Sequence, residues 1–222
     1  MLKFDNVDFG YPSNTIFSGL SLQMIPGEFC FLIGKSGSGK STLLQMIYMN
    51  LFPQAGNVQF DRFNSKTIKA RDLPPLRKKL GIIFQDFKLL KDRNIYDNLA
   101  FVLEVLNTPQ KEIKRRINDV LTDVSLIHRR NSMPDELSGG EKQKVAIARA
   151  IVNQPVLILA DEPTGNLDPE TSLEIINILK KINAQGTAVL IATHNYEIIR
   201  KVNARILKLE NGKAVRAVFK QI

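Results

Sequence analysis

The sequence predicts an α/β protein built on a largely parallel sheet. Short apolar runs alternate with amphipathic helical patterns along the chain, the rhythm of strands joined by crossover helices. Three runs, Phe29 to Ile33, Val156 to Ala160 and Ala188 to Ala192, are almost wholly apolar and read as buried strands. Each leads directly into polar or glycine-rich residues, and ligands of open α/β sheets gather at those carboxyl ends, so the chemistry is expected there.

Between the first two runs, Ile95, Leu99, Val102, Leu103 and Leu106 recur at helix spacing. Thr108-Pro109 then opens a second helix carrying Ile113, Ile117, Val120 and Leu121. This stretch reads as an inserted helical lobe. Near the C-terminus, RILKLE, Asn211-Gly212 and KAVRAVF read as a hairpin closed by a two-residue turn. A length of 222 residues suits one domain carrying such a lobe and leaves no room for two independent enzymes.

With 44% hydrophobic and 24% charged residues the chain has enough apolar side chain for a core and is too hydrophobic for a disordered protein. No apolar run approaches the roughly 18 to 20 residues of a membrane span, and MLKFDNVDFGY lacks the pattern of a signal peptide. The chain is therefore expected neither to span a membrane nor to be exported. Cys30, the only cysteine, sits in FCFLI and reads as an inert core thiol, which excludes a disulfide framework.

The formal net charge of +9 favours anionic partners, whether nucleic acid or the cytoplasmic leaflet. From Arg62 to Arg93 there are ten basic residues against three acidic ones, and from Arg200 to Lys220 seven against one. The few phenylalanines among these cations do not form the regular aromatic interleaving of a base-stacking surface, and no nucleic-acid partner is expected.

Residues Gly34 to Ser41 read GKSGSGKS, which fits GxxxxGK[ST] between a strand and a helical run. Gly34, Gly37 and Gly39 let the backbone curl so that the N–H groups of the loop, through Lys35, Ser36, Ser38 and on to Thr42, face a phosphate. Lys40 is expected to reach the β- and γ-phosphates, and Ser41 to ligate Mg²⁺ through its hydroxyl. A plain glycine-rich turn accounts for none of this order of strand, loop, Lys-Ser and helix. The chain is expected to bind a nucleoside triphosphate.

VLILADE places Asp161 and Glu162 just past the second buried run. Alone, the pair is a solvated strand end. Beside a phosphate loop, Asp161 becomes the metal-side carboxylate and Glu162 the general base that polarises water. His194, after AVLIAT, stands at the same sheet edge, where it is positioned to contact the γ-phosphate.

LSGGEKQ, Leu137 to Gln143, contains the capping box Ser138-x-x-Glu141 ahead of a helix carrying Val145, Ile147, Ala148, Ile151 and Val152. The box leaves Gly139 and Gly140 unexplained, because each weakens the first helical turn by up to about 1 kcal/mol relative to alanine. Close approach of a second phosphate to the bare backbone would explain both.

Together GKSGSGKS, LSGGE, LILADEPTGNLD and ATH resemble the nucleotide-binding subunit of ABC ATPases over nearly the whole chain. The resemblance implies a P-loop NTPase fold: a RecA-like core with an antiparallel β subdomain, spanning 1–88 and 153–222, and an ABC-type helical lobe at 89–152 with the signature motif. It implies an ATPase that uses ATP and Mg²⁺ and pairs head to tail as a homodimer on ATP binding. Each phosphate loop then faces the partner copy's Ser138, Gly139, Gly140 and Glu141 positions across the nucleotide. By position, Tyr11 resembles the aromatic that stacks on adenine, and Gln85, in IIFQDF, the glutamine that joins the Mg²⁺ site to an integral membrane subunit. Asp168, in GNLD, resembles the aspartate at the dimer seam, and it also reads as an N-cap before Pro169. EPTGNLD, LSGGE and FQDFKLL on a short chain look most like the cell-division branch, in which the ATPase sits on the cytoplasmic face of the plasma membrane. The lipoprotein-release and efflux branches share EPTGNLD, and a soluble ATPase acting on nucleic acid is the third reading. Glu141-Lys142 stands where glutamine is common, Asn195 where aspartate is common after the histidine, and Asp61-Arg62 where an Asp-Gly turn is usual, which leaves the local hairpin open.

Overall fold

The computed structural model describes the backbone of residues 1–217 and the side chains of residues 1–215. Two long strands that the apolar-run reading does not mark open the chain, β1 (Leu2–Tyr11) and β2 (Asn14–Met24). They pair antiparallel from Leu2 opposite Met24 to Tyr11 opposite Asn14. Leu2, Phe4, Val7 and Phe9 of β1 are buried while the residues between them face solvent or the rim, the pattern of a half-covered antiparallel pair.

β3 (Phe29–Ile33) leads through the glycine-rich loop into α1 (Lys40–Ile47). β4 (Ala55–Phe60) and β5 (Phe63–Asn64) follow, then the short α2 (Leu73–Arg77) and β6 (Leu80–Ile83). The hairpin between β4 and β5 does form without glycine. Asp61 takes the left-handed conformation (φ 54°), which Asp tolerates better than most residues, and its carboxylate pairs with Lys79 at 2.6 Å.

α3 (Ile95–Val105) starts at Asn94, whose side chain accepts the Asp97 N–H at 2.8 Å, and α4 (Gln110–Asp123) starts behind Pro109. α5 (Gly139–Ile151) completes the helical insertion before β7 (Leu157–Asp161). α6 (Pro169–Ala184), β8 (Ala188–Ala192), α7 (Tyr196–Arg200), β9 (Arg205–Glu210) and β10 (Lys213–Ala217) finish the described chain. The turn between β9 and β10 has Asn211 and Gly212 both left-handed (φ 50° and 72°), as a two-residue hairpin requires. Val218 and Phe219 of the expected second arm, and Lys220 of the basic stretch, lie outside the described residues.

Among the described residues the strands form a six-stranded sheet in the order β10-β9-β3-β8-β7-β6 and a four-stranded sheet in the order β2-β1-β4-β5. The pairs β9-β3, β3-β8, β8-β7 and β7-β6 are parallel, and β10-β9 is antiparallel. Period-two alternation splits the buried strands between two cores. Phe31, Ile33, Ile158, Ala160, Val189 and Ile191 face a core shared with α3, α4, α5 and α6. Cys30, Leu32, Leu157, Leu159, Leu190 and Leu207 face a second core with α1 and the antiparallel sheet. With both faces covered, Cys30 is fully buried, and burial pushes its thiol pKa up to about 12, so it is not a nucleophile.

The strand at VLILA differs by one residue from the sequence expectation. It begins at Leu157 and includes Asp161, which pairs with Ala192, so Asp161 is the last residue of the strand and not the first beyond it. Val156 sits outside the ladder and is exposed, though its carbonyl still accepts the Ala188 N–H at 3.1 Å.

Candidate active site

The site residues come from three strand ends that the parallel sheet places side by side: β3, β7 and β8 are consecutive neighbours through β8. The loop after β3 carries Gly34 to Ser41. Gly37 and Gly39 are left-handed (φ 76° and 97°), and a Cβ on Gly39 would come within 2.5 Å of Ile16 Cγ2, so this turn needs glycine for both reasons. Gly39 gives α1 no side-chain cap, which leaves the first-turn N–H groups to an external acceptor. Ser38 Oγ is buried without a partner inside the same loop. Lys35, Ser36 and Gly37 are exposed on the rim of the loop, as is Ser41, and Thr42 is buried. A ring of unclaimed donors at a helix start fits a phosphate chain.

Lys40 is buried and folds over its own loop, with Nζ donating to Gly34 O at 3.0 Å and Lys35 O at 3.4 Å. The same Nζ lies 4.0 Å from Glu162 Oε1. Glu162 takes φ 47°, a conformation disfavoured for a residue with a side chain, while its N–H stays in the ladder by donating to Ala192 O at 2.8 Å. The carboxylate, only 10% exposed, is met by His194: Nδ1 stands 2.7 Å from Oε1 and the backbone N–H donates to Oε2 at 3.3 Å. Asp161 lies beside it. Burial raises its carboxyl above the usual carboxylate range, a hydrogen bond from Ser41 opposes this, the neighbouring Glu162 adds to it, and Lys40 opposes it again.

Ser41 and Asp161 are hard oxygen donors already in contact, which suits Mg²⁺. Among the described residues no group of three or more His, Cys, Asp or Glu forms a metal cage. That also fits Mg²⁺, which is bound through one or two protein oxygens with phosphates and water filling the shell. Gln85 lies in the exposed turn after β6 and makes no side-chain hydrogen bond among the described residues. Tyr11 ends β1 with 47% exposure and packs edge-on against Phe9 at 5.2 Å between ring centroids. The hairpin it closes continues into Ile16 and Phe17, which touch Gly39, so the tyrosine stands at the tip of a hairpin braced on the phosphate loop.

Ser138 caps α5 through the expected reciprocal box: Glu141 N–H donates to Ser138 Oγ at 3.2 Å and Ser138 N–H to Glu141 Oε2 at 2.9 Å. Arg129 pairs with Glu141 Oε1 at 3.2 Å. The Ser138 N–H holds the Glu141 carboxyl below its usual range; burial opposes it, and the Ser138 hydroxyl and Arg129 lower it further. Ser138 and Gly139 are exposed, and no hydrogen bond or ion pair among the described residues joins them to the phosphate loop. Asp168 caps α6, accepting Thr171 N–H at 2.8 Å and Thr171 Oγ1–H at 2.5 Å, and the two bonds hold its carboxyl low.

A Cβ on Gly140 would stand 2.7 Å from Thr171 Cγ2, so Gly140 is already required by the packing of α5 on the start of α6 and does not call for a phosphate. Gly139 would meet Leu167 at an ordinary 3.5 Å, so packing does not account for it. Sequence reasoning missed Thr171, although Asp168-x-x-Thr171 has cap spacing. It also missed Arg149, the one cation inside the apolar run AIARAI.

This fold and this site define an ATP-hydrolysing cassette, and residues 17–165 match the ABC transporter family, so the chain belongs to that family. Among its relatives are proteins named cell division ATP-binding protein FtsE. That of Streptococcus pneumoniae is 46% identical over 96% of this chain and 90% of its own length. That of Bacillus subtilis is 44% identical (97% and 95%), and that of Escherichia coli 42% (96% of both). Similar solved structures include the ATP-binding cassette MJ0796 as a post-hydrolysis dimer bound to ADP and Pi, 33% identical over 97% of both chains with a TM-score of 0.85. CbiO1 of Clostridium perfringens is 28% identical over 96% of this chain and 86% of its own, with a TM-score of 0.89.

Proposed function

We propose that this chain is the ATPase of an FtsE-like cell-division complex, closing into a head-to-tail homodimer on ATP and opening after hydrolysis. The observation that carries the catalytic part is the Glu162 carboxylate, gripped by His194 and facing Lys40 across 4.0 Å. Glu162 accepts a proton from water as the water oxygen attacks the γ-phosphorus, and ADP leaves with the bridging oxygen. His194 orients that carboxylate, and Lys40 binds the phosphates. Ser41 and Asp161 would hold Mg²⁺, and Gln85 would join them. The ion would supply neutralising charge to the phosphates.

Ser138, Gly139, Gly140 and Glu141, at the start of α5 with Ser138 and Gly139 exposed, serve the nucleotide of the second copy. Asp168 lies at the seam and Tyr11 stacks on adenine. Residues 89–152 form the lobe that moves against a core of 1–88 and 153–222. An FtsX-like integral membrane protein holds the ATPase at the inner face of the plasma membrane, and the complex controls cell-wall hydrolysis. No helix among the described residues is long and apolar enough to cross a membrane. The shared cell-division name of the relatives supports this branch over lipoprotein release and efflux.

The test is Glu162→Gln. It keeps the shape and removes the base, so hydrolysis falls by about 10²- to 10⁴-fold and an ATP-bound dimer accumulates. Sedimentation that stays monomeric with ATP and Mg²⁺ would sink the dimer mechanism. Purification of the complex from native membranes without an FtsX-like protein would sink the division role.

A further inference from the structure

Arg149 lies on α5, the helix that begins at the signature motif, and its guanidinium leaves that helix for the loop after β6. Nη2 donates to Phe87 O at 2.7 Å and Nη1 to Lys88 O. No carboxylate pairs with it among the described residues. Arginine does not shed its charge in a protein, and the half-buried guanidinium is met by those two carbonyl dipoles. Phe87 and Lys88 are consecutive left-handed residues (φ 59° and 49°), a pairing unfavourable for side chains with a Cβ, and it sets their carbonyls toward one donor fork.

The far end of the same loop is pinned by one buried amide. Asn98 of α3, 1% exposed, accepts Leu90 N–H at 2.8 Å and donates to Leu90 O at 3.0 Å, Arg93 O at 2.9 Å and Asn94 O at 2.9 Å. Gln85 itself has no such anchor. Its placement follows from the fixed backbone two residues downstream.

We propose that Arg149 is a positioning residue that fastens the Gln85 loop to the signature helix, so that the two parts of the nucleotide site shift as one body. The fork binds backbone carbonyls on one side and is rooted on the other in a helix whose adjacent Ala146, Ile147 and Ala148 are buried in the core, so a displacement of the helix carries the loop with it. The inference rests on the proposed ATPase reading for its catalytic consequence, and on the loop geometry alone for its mechanical one.

The experiment compares the full chain with Arg149→Ala and Arg149→Lys. Three quantities are read: amide hydrogen exchange without nucleotide, ATP affinity by calorimetry with a metal chelator present, and kcat with KM for ATP. Losing hydrogen bonds to a charged group should speed exchange across residues 84–94 by about ten- to a hundredfold, with α1 and the parallel strands unchanged. ATP affinity should stay within about twofold, because the phosphate loop is untouched, while kcat falls by about tenfold or more at nearly constant KM. Arg149→Lys keeps the charge but has no fork to span both carbonyls, so it should fall between parent and Arg149→Ala. It decides the matter if Arg149→Ala does not fold. Parental exchange in residues 84–94 in a folded variant overturns the clamp. Faster exchange with parental kcat, or a lowered melting temperature as the sole change, overturns the positioning role. A parent chain that hydrolyses no ATP refutes the functional reading instead, and the exchange data then still report on the clamp.

Discussion

A single residue holds both oxygens of the Glu162 carboxylate: His194 presents Nδ1 at 2.7 Å from Oε1 and its backbone N–H at 3.3 Å from Oε2. An ionised carboxylate only accepts, so Nδ1 carries the proton and the other ring nitrogen is left toward solvent, where the ring is 69% exposed. The left-handed backbone at Glu162 turns the side chain back under β8 to meet it.

His194→Ala should therefore lower kcat by about ten- to a hundredfold through a disoriented base, with ATP affinity unchanged. Steady-state kinetics set beside calorimetry separate the two quantities. A matching loss of affinity would make His194 a binding residue first.

Lys40→Ala removes the buried ammonium from the phosphate loop and should cost ATP at least about a hundredfold in affinity. Calorimetry with and without Mg²⁺ measures this. Undiminished affinity would refute the assignment of the loop.

Gly140→Ala should destabilise the protein by about 1–2 kcal/mol. Pushing a methyl to within 2.7 Å of Thr171 Cγ2 costs about 1–3 kcal/mol, against up to about 1 kcal/mol of helix propensity gained. Thr171→Ser removes that methyl and keeps the hydroxyl bound to Asp168, so in its background Gly140→Ala should turn neutral or stabilising. Urea unfolding of the four proteins completes the cycle. An equal loss in both backgrounds would place the strain elsewhere.

The lowered pKa of Glu141 fixes the sign of its pH dependence. A carboxyl held below its unfolded value of about 4.3 contributes stability that is present above that pH and lost as pH falls through the folded value. Glu141→Gln keeps the cap hydrogen bonds and removes the charge and the Arg129 pair. At neutral pH it should cost no more than about 1 kcal/mol, because the pair is partly exposed. Melting curves of the two proteins should converge on acidification below about pH 4. A gap that stays constant with pH would show that the charge of Glu141 is not the source of the difference.

The phosphate loop and the acid pair were readable because their chemistry depends on residues adjacent in sequence, with a buried strand before them and a helix or turn after. The helical lobe was readable from Ile95 to Leu121 because an amphipathic helix writes its period into the chain. The N-terminal strands were harder. Leu2, Phe4, Val7 and Phe9 alternate, but register shifts between Phe4 and Val7 and again before Phe9 break the period, so the pattern never becomes a continuous apolar run. Strand β6 is only four residues long and follows a cationic segment, which hides it.

By itself the sequence determined the class of protein, the order of its site residues along the chain and the chemical part each can play, because motifs of backbone curvature and charge are local. The tertiary structure alone decided which of them meet. Parallel pairing of β3, β8 and β7 brings Lys40, Asp161, Glu162 and His194 together from positions far apart in the chain. The packing of α5 against α6 gives Gly140 a reason that no spacing displays, and Arg149 reaches a loop sixty residues earlier in the chain. Contacts of that kind depend on which faces two elements turn toward each other, and a one-dimensional pattern specifies the face each element buries but not the neighbour that covers it.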